Sequence, residues 1–243
     1  MNLIIEQGNT ATKVAVYSKD QMEFASVYED FSDSDLIQII TQYPLKNGIL
    51  STVIESKTDL ITYLNNRLER FYFFDGNVRL PIDIRYQTPE TLGKDRIAVA
   101  VGAHFLQPGK DLLVIDIGTA VTYEVVESPG IYLGGNISPG MSIRFRALNR
   151  FTERLPLVKE KDNVPLLGTS TETAILAGVV NGLVYEIDGY INELLCRYPG
   201  LYVFLTGGHA FYFEKRLKNT IFAVQNLVLI GLNRILEYNV DKQ

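Results

Sequence analysis

Residues 3–12 and residues 113–122 carry one pattern twice. Leu3-Ile4-Ile5-Glu6-Gln7-Gly8-Asn9-Thr10-Ala11-Thr12 lies without a gap over Leu113-Val114-Ile115-Asp116-Ile117-Gly118-Thr119-Ala120-Val121-Thr122. Each copy is an apolar strand, a carboxylate, one residue, a glycine, small residues, then a threonine opening the next strand. A single copy reads equally well as a hairpin turn with small residues. Two copies, each heading three strands and a helix, point to a duplicated domain. A repeat this long means paired domains, not a solenoid. At 243 residues, 47% of them hydrophobic and 21% charged, the chain is long and apolar enough for two packed cores.

The element pattern supports the division. Strands are expected at 3–5, 12–17 and 23–28. Ser32 and Asp33 can cap a helix to Tyr43 with Leu36, Ile37, Ile39 and Ile40 on its apolar face. A strand at 48–53, a helix at about 57–70 and a strand at 71–74 complete a βββαβαβ order, the aromatic run Phe71 to Phe74 reading as a buried strand. An irregular stretch with Pro81 and Pro89 leads into Leu92-Gly93-Lys94-Asp95-Arg96 and a helix through Phe105. The turn Gln107-Pro108-Gly109-Lys110 marks the boundary between an N-terminal domain, 1–109, and a C-terminal domain, 110–243. The second half starts again with strands at 112–115, 121–126 and 131–136. A helix to Phe151 follows, then a long helix from Thr171 to Leu195. A strand at 201–205, a helix, a short strand near 220–224 and a last helix at about 228–239 complete it. The expected class is α/β, two domains in tandem, each a mixed sheet flanked by helices.

The repeated loop has a chemistry. Glycine permits the turn and a close backbone approach to a ligand. Successive amides in a tight turn form a concavity for anions. Threonine and asparagine add donors, and a carboxylate at the strand end can hold a cation that offsets phosphate charge. Two such loops facing across a cleft would grip a polyphosphate from both sides. Other classes are excluded by composition. The net charge of −5 without a basic block argues against a general nucleic-acid binder. No apolar run reaches the ~18–20 residues of a membrane span. The single cysteine, Cys196, rules out an internal disulfide and a cysteine-based zinc site, and is expected to be a small core or interface residue. His104 and His209 lie far apart in sequence and are read as structural. The N-terminus lacks the basic and apolar regions of a signal peptide, so cytoplasm is the expected compartment.

The motifs, taken in order, resemble those of the type III pantothenate kinases, members of the actin, Hsp70 and sugar-kinase superfamily built from two ribonuclease-H-like domains. They are Glu6-Gln7-Gly8-Asn9-Thr10 with Lys13; Tyr86 followed by Leu92-Gly93-Lys94-Asp95-Arg96; Asp116-Ile117-Gly118-Thr119-Ala120 with Thr122; Gly134-Gly135-Asn136-Ile137-Ser138-Pro139-Gly140; Gly168 to Thr171, leading to Ala174-Ile175 and Gly178; and Thr206-Gly207-Gly208. The set spans nearly the whole chain. One position departs from it: Glu6 stands where the family's first loop carries aspartate. The resemblance implies an actin-like ATPase fold and ATP-dependent phosphorylation of pantothenate to 4'-phosphopantothenate, the first step of coenzyme A biosynthesis. It implies ATP with Mg2+ and a monovalent cation, K+ or NH4+, as cofactors, and a homodimer that binds neither nucleic acid nor membrane.

The resemblance also assigns residues. Asp95 would be the general base and Asp116 the ligand of the monovalent cation. Glu6, Gln7, Gly8, Asn9, Thr10, Ala11, Thr12, Lys13 and Thr119 would contact ATP, and the adenosine would pack near Gly207 and Gly208. Tyr86, Gly93, Lys94, Asp95 and Arg96 would bind pantothenate, with Thr171 reaching it across a dimer interface. The residue chemistry agrees: transfer to an alcohol needs a carboxylate to accept the hydroxyl proton, and arginine pairs well with the carboxylate of pantothenate. Plainer roles stand beside these. Asp95 can cap the following helix, Arg96 can form a surface ion pair, and Tyr86 can be a core aromatic. Thr171, Ser170 or Thr169 can be an N-cap, and Lys13 can be a solvated strand lysine. Three other functions are alternatives: a non-catalytic regulatory relative, against which the retention of Asp95, Arg96, Asp116 and Thr119 argues; another small-molecule kinase on the same fold; and a ribonuclease-H-like nuclease using Glu6, Asp95 and Asp116, which the net charge of −5 and the duplicated loops disfavour.

Overall fold

The computed structural model describes residues 1–54 and 58–241. Two compact units result: Met1–Gly109 with Val126–Leu133 and Asn226–Gln243, and Lys110–Val125 with Gly134–Gln225. Residues 126–133 and 226–241 thus pack with the first unit, although the sequence places them in the second domain.

The first unit is built on β1 (Asn2–Gln7), β2 (Thr12–Ser18), β3 (Gln21–Tyr28), α1 (Asp33–Gln42), β4 (Asn47–Thr52), α2 (Thr58–Arg67) and β5 (Arg70–Phe73). Its sheet order is β3-β2-β1-β4-β5. β1 runs antiparallel to β2 and parallel to β4. Because β1 is central, Leu3, Ile4 and Ile5 are all buried. Leu3 and Ile5 share a core with Leu36, Ile39 and Ile40 of α1 and Leu64 of α2. The expected α1 cap is a capping box: Ser32 Oγ accepts from the Asp35 amide, and the Asp35 carboxylate accepts from the Ser32 amide. The expected start of α2 at Lys57 lies outside the described residues. The aromatic run is less buried than expected: β5 is half-buried along its length, and of its aromatic neighbours Phe74 is buried.

β6 (Asp83–Ile84) and a 3-10 turn (Pro89–Thr91) lead into α3 (Lys94–Leu106). α3 is buried all along Arg96 to Ala103. Its small residues let it lie directly on α7 (Leu227–Val240), which also touches β1 and β4. The contact is backbone to backbone. A Cβ on Gly231 would stand 1.7 Å from the Ala98 carbonyl oxygen, and one on Gly102 2.6 Å from that of Leu227.

The second unit holds β7 (Leu112–Ile117), β8 (Ala120–Glu127), β9 (Ile131–Pro139), α4 (Met141–Arg150), α5 (Thr171–Arg197), β10 (Tyr202–Thr206), α6 (Ala210–Glu214) and β11 (Phe222–Ala223), except that the β8–β9 tip belongs to the first unit. The strand order β9-β8-β7-β10-β11 repeats that of the first sheet, with β6 paired beyond β9 at the tip. β7 is parallel to β10, as β1 is to β4. The duplication read from one loop thus extends to the order of five strands.

α5 is, among the described residues, the one helix long and apolar enough to cross a membrane, but over half of its apolar window is buried in the protein. Asp188 on that helix is buried too, accepting from the Lys218 and Asn219 amides. Such a helix is a core element. Cys196, near its end, is exposed, which excludes the core half of its expected role and leaves the interface half.

Candidate active site

In the first unit, the β1–β2 connection is residues 8–11, closed by the Gly8 amide donating to the Ala11 carbonyl at 3.0 Å. Thr12 is buried, Asn9 and Thr10 are exposed, and residues 7–12 line a pocket of about 230 Å³. Glu6 and Lys13 are direct partners in the β1–β2 register. Their side chains pair, Nζ to Oε2 at 3.3 Å. Lys13 is therefore tied down, not a solvated strand lysine.

Glu6 is only 6% exposed. Burial pushes its carboxyl above the ordinary 4.5; the charge and hydrogen bond of Lys13 oppose this, and the charge of Asp95 adds to it. The structure thus brings Asp95, far away in sequence, into the electrostatic neighbourhood of the first loop. A raised carboxyl pKa means that the folded state holds the proton more tightly than the unfolded chain. The associated stability is present below the ordinary value and is lost as pH rises through the folded value. Glu6→Gln is expected to keep its melting temperature better than wild type as pH rises from about 4 to about 7. Parallel melting curves for the two proteins across that range would show the sign to be wrong.

Asp95 lies in the first turn of α3, whose N-cap is Gly93, so Asp95 is not the cap. Its Oδ1 accepts from the Arg96 amide at 2.9 Å. A Cβ on Gly93 would stand 2.5 Å from that oxygen, so glycine at 93 makes room for the carboxylate. Arg96 is buried, not a surface ion pair, with its guanidinium 5.7 Å from the ring centre of Tyr86. Tyr86 is half-buried and meets Tyr132 edge-on at 6.2 Å. Lys94 reaches over Phe74 at 5.8 Å. Glu6, Lys13, Asp95, Arg96, Tyr86 and Lys94 all belong to this unit. Tyr132 and Phe74, which support two of them, carry no motif. Their roles rest on long-range contacts that spacing does not encode.

In the second unit, Asp116 is half-buried near the end of β7, in register with Thr206. The β7–β8 connection is Gly118 and Thr119, closed by the Gly118 amide on the Ala120 carbonyl at 2.9 Å. This bond equates Ala120 with Ala11. The ungapped overlay of Thr122 on Thr12 is therefore shifted by one, the first loop holding one more residue between its hydrogen-bonded ends. Two other glycines close on the second loop. The Gly140 amide donates to the Thr119 carbonyl at 3.1 Å. Gly207, at φ +96°, would place a Cβ 2.4 Å from Asp116 Oδ1. Three separated motifs of the sequence thus meet around Asp116 and the exposed Thr119.

Thr171 is the first helical residue of α5; the N-cap is Ser170, in a capping box with Thr173. Thr171 is exposed and lines an apolar groove of about 410 Å³ with Leu148, Leu155, Ile175 and Val179. His104 packs on Gly130, and His209 stands at the N-cap position of α6 without a side-chain cap bond; among the described residues, no three or more His, Cys, Asp or Glu side chains cluster as a metal cage.

The fold is that of the actin-like kinases and ATPases. A Sinorhizobium meliloti structure described as a 2-dehydro-3-deoxygalactonokinase superposes with a TM-score of 0.62 at 13% identity, covering 98% of this chain and 99% of its own. A Campylobacter jejuni structure described as a Baf family transcriptional activator gives 0.60 at 20% identity, covering 98% and 99%. At those identities the likeness is one of fold. The family follows from sequence: the type III pantothenate kinase model matches residues 2–193, and a type III pantothenate kinase of Phocaeicola vulgatus is 48% identical over 243 residues, covering 98% of this chain and 99% of that one. The chain belongs to the type III pantothenate kinase family.

Proposed function

We propose that this chain transfers the γ-phosphoryl group of ATP to the primary hydroxyl of pantothenate, forming 4'-phosphopantothenate and opening coenzyme A synthesis. Family membership supports the reaction. The observation that carries the chemistry is Asp95 at the head of the buried helix α3, with its carboxylate turned over Gly93 and near the Glu6–Lys13 pair. In this reading Asp95 takes the proton from the hydroxyl as the phosphoryl group arrives. Arg96, oriented by Tyr86, holds the pantothenate carboxylate, with Gly93 and Lys94 beside it. Thr171 adds a contact from a second copy of the chain, and the apolar groove on α5 supports a homodimer.

ATP is assigned to residues 6–13 and Thr119. The Gly8–Ala11 turn and the Gly118–Ala120 turn both offer amides and small side chains to phosphate. The donor set fits the two cations differently. Asp116, with Gly207 leaving space against its Oδ1, suits one monovalent cation, which would offset phosphate charge when bound. Mg2+ would enter with ATP, whose phosphate oxygens are hard ligands of the kind it prefers, and would offset their charge. The family of metabolic kinases and the buried face of α5 support a soluble, cytoplasmic enzyme.

A coupled ADP-release assay with a panel of alcohols tests the substrate. Turnover is expected with pantothenate and to fall when sodium replaces potassium, through a weaker ATP KM. Equal turnover with unrelated alcohols would contradict the substrate, and indifference to the cation would remove the role of Asp116. Glu6 gives a second test. Its carboxylate competes with phosphate for Lys13. Aspartate, one methylene shorter, loosens that hold. Glu6→Asp is expected to bind ATP as well as or more tightly than wild type, read as an equal or lower KM for ATP. A complete loss of activity would give Glu6 a different role.

A further inference from the structure

A polar cluster in the second unit has no part in the roles assigned above. Glu186 of α5 is its centre. Its Oε1 accepts from the hydroxyls of Tyr123 at 2.9 Å and Ser138 at 2.5 Å. Its Oε2 takes an ion-paired hydrogen bond from Arg144 Nη2 at 2.6 Å. Arg144 reaches in the other direction as well: Nε donates to the Pro139 carbonyl at 2.7 Å, and Nη2 lies 3.3 Å from Ser138 Oγ. One carboxylate and one guanidinium therefore hold the last two residues of β9 from two sides. Tyr123 is 1% exposed and anchors Glu186 from β8. Charge-assisted hydrogen bonds of this kind are roughly twice as strong as neutral ones. Burial raises the Glu186 carboxyl, but the hydrogen bonds of Ser138, Arg144 and Tyr123 outweigh it and hold the group below its ordinary value.

The next residue is Gly140. Its amide bonds the Thr119 carbonyl, and a Cβ on it would stand 2.3 Å from that oxygen and 2.4 Å from the Gly118 carbonyl oxygen. The turn at 138–140 thus lies directly against the loop assigned to ATP, with no side chain between. Packing this close leaves no slack to absorb a shift of the turn.

We propose that Glu186 is a positioning residue for the Asp116–Ala120 loop, acting through Arg144 and Ser138 on the 138–140 turn. The proposal rests on the assignment of that loop to ATP. Glu186 itself touches no substrate. Without it, Arg144 loses the charge that fixes its fork, the turn loosens, and Gly118 and Thr119 lose their backing.

The test compares Glu186→Ala, Glu186→Gln, Arg144→Ala and the Glu186→Ala/Arg144→Ala double variant with Asp116→Ala in the full-length kinase. For Glu186→Ala the KM for ATP is expected to rise about tenfold, with the pantothenate KM and the kcat at saturating ATP within about threefold of wild type. Glu186→Gln, which keeps acceptors for Tyr123 and Ser138 but loses the charge, should fall between. The double variant should resemble either single one, because both act along one path. In the protein without nucleotide, hydrogen exchange of the 116–120 amides should quicken in Glu186→Ala. A merely structural role would lower the melting temperature with no change in the ATP KM. That result, with Asp116→Ala still weakening ATP binding, overturns the proposal while leaving the loop's role intact. If Asp116→Ala also leaves ATP binding unchanged, the loop's assignment fails and the positioning role with it. Should Glu186→Ala not fold, Glu186→Gln and the exchange measurement decide by the same criteria.

Discussion

Asp95→Asn is expected to fold like the wild-type protein and to lower kcat by about 10²–10⁴-fold, the usual contribution of a general base. Asparagine has the same shape, and its carbonyl oxygen can still accept from the Arg96 amide, as Asp95 Oδ1 does at 2.9 Å. Gly93 still leaves room for it. The first turn of α3 should therefore persist, and Arg96 should remain buried over Tyr86. What disappears is a group able to take the proton of the alcohol. The KM for pantothenate is expected to change little, since the ground-state contacts assigned to Arg96 and Tyr86 survive. One electrostatic effect accompanies the change. Asp95 helps to raise the Glu6 carboxyl, so neutralising it lets Glu6 ionise more readily and pair more firmly with Lys13. A small rise in the ATP KM is the expected side effect. Activity within tenfold of wild type in a folded Asp95→Asn would remove the base assignment.

Gly231→Ala is expected to destabilise the protein by about 3 kcal/mol, at the upper end of overpacking costs in a close-packed core. The added methyl would lie 1.7 Å from the Ala98 carbonyl oxygen and 3.0 Å from the Gly102 amide nitrogen. Neither is a side chain that can swing away, so α3 and α7 must separate. At roughly 2–4 °C per kcal/mol for a chain of this size, the melting temperature should fall by about 6–12 °C. The loss should reach function, because α3 carries Asp95 and Arg96 on its first turn. Gly189→Ala is the matched control. It is a glycine-to-alanine change inside α5 with nothing within 4 Å of the new methyl, and helix propensity favours alanine there by about 1 kcal/mol. Equal melting temperatures for the two variants would contradict the close contact.

Both variants touch features that the sequence shows unequally. The strands and helices are legible because their signals are local: period-two and period-3.6 apolar patterns, the Ser32 and Ser170 caps, and the turn at 107–110. The Gly93-to-Arg96 motif places Asp95 and Arg96 on one helix start. Sequence cannot show that Arg96 is buried beside Tyr86, or that Glu6 pairs with Lys13. Those outcomes depend on register and on contacts between distant segments. The ungapped repeat misplaces Thr122 for the same reason: a one-residue difference in loop length leaves both strands intact and becomes visible in the hydrogen bonds of Gly8 and Gly118. The boundary at 109 follows a turn. The return of α7 to the first unit follows from Gly102 and Gly231, two isolated glycines with no turn chemistry near them. β6 is two residues long, below what any periodicity detects.

The most direct measurement is phosphorus NMR of the purified protein incubated with ATP, Mg2+, K+ and pantothenate, run beside Asp95→Asn. One new phosphomonoester signal, matched mole for mole by ADP, is expected in the wild-type sample and almost none in the variant. ADP accompanied by inorganic phosphate in place of the ester, or an ester formed equally well by both proteins, would contradict this.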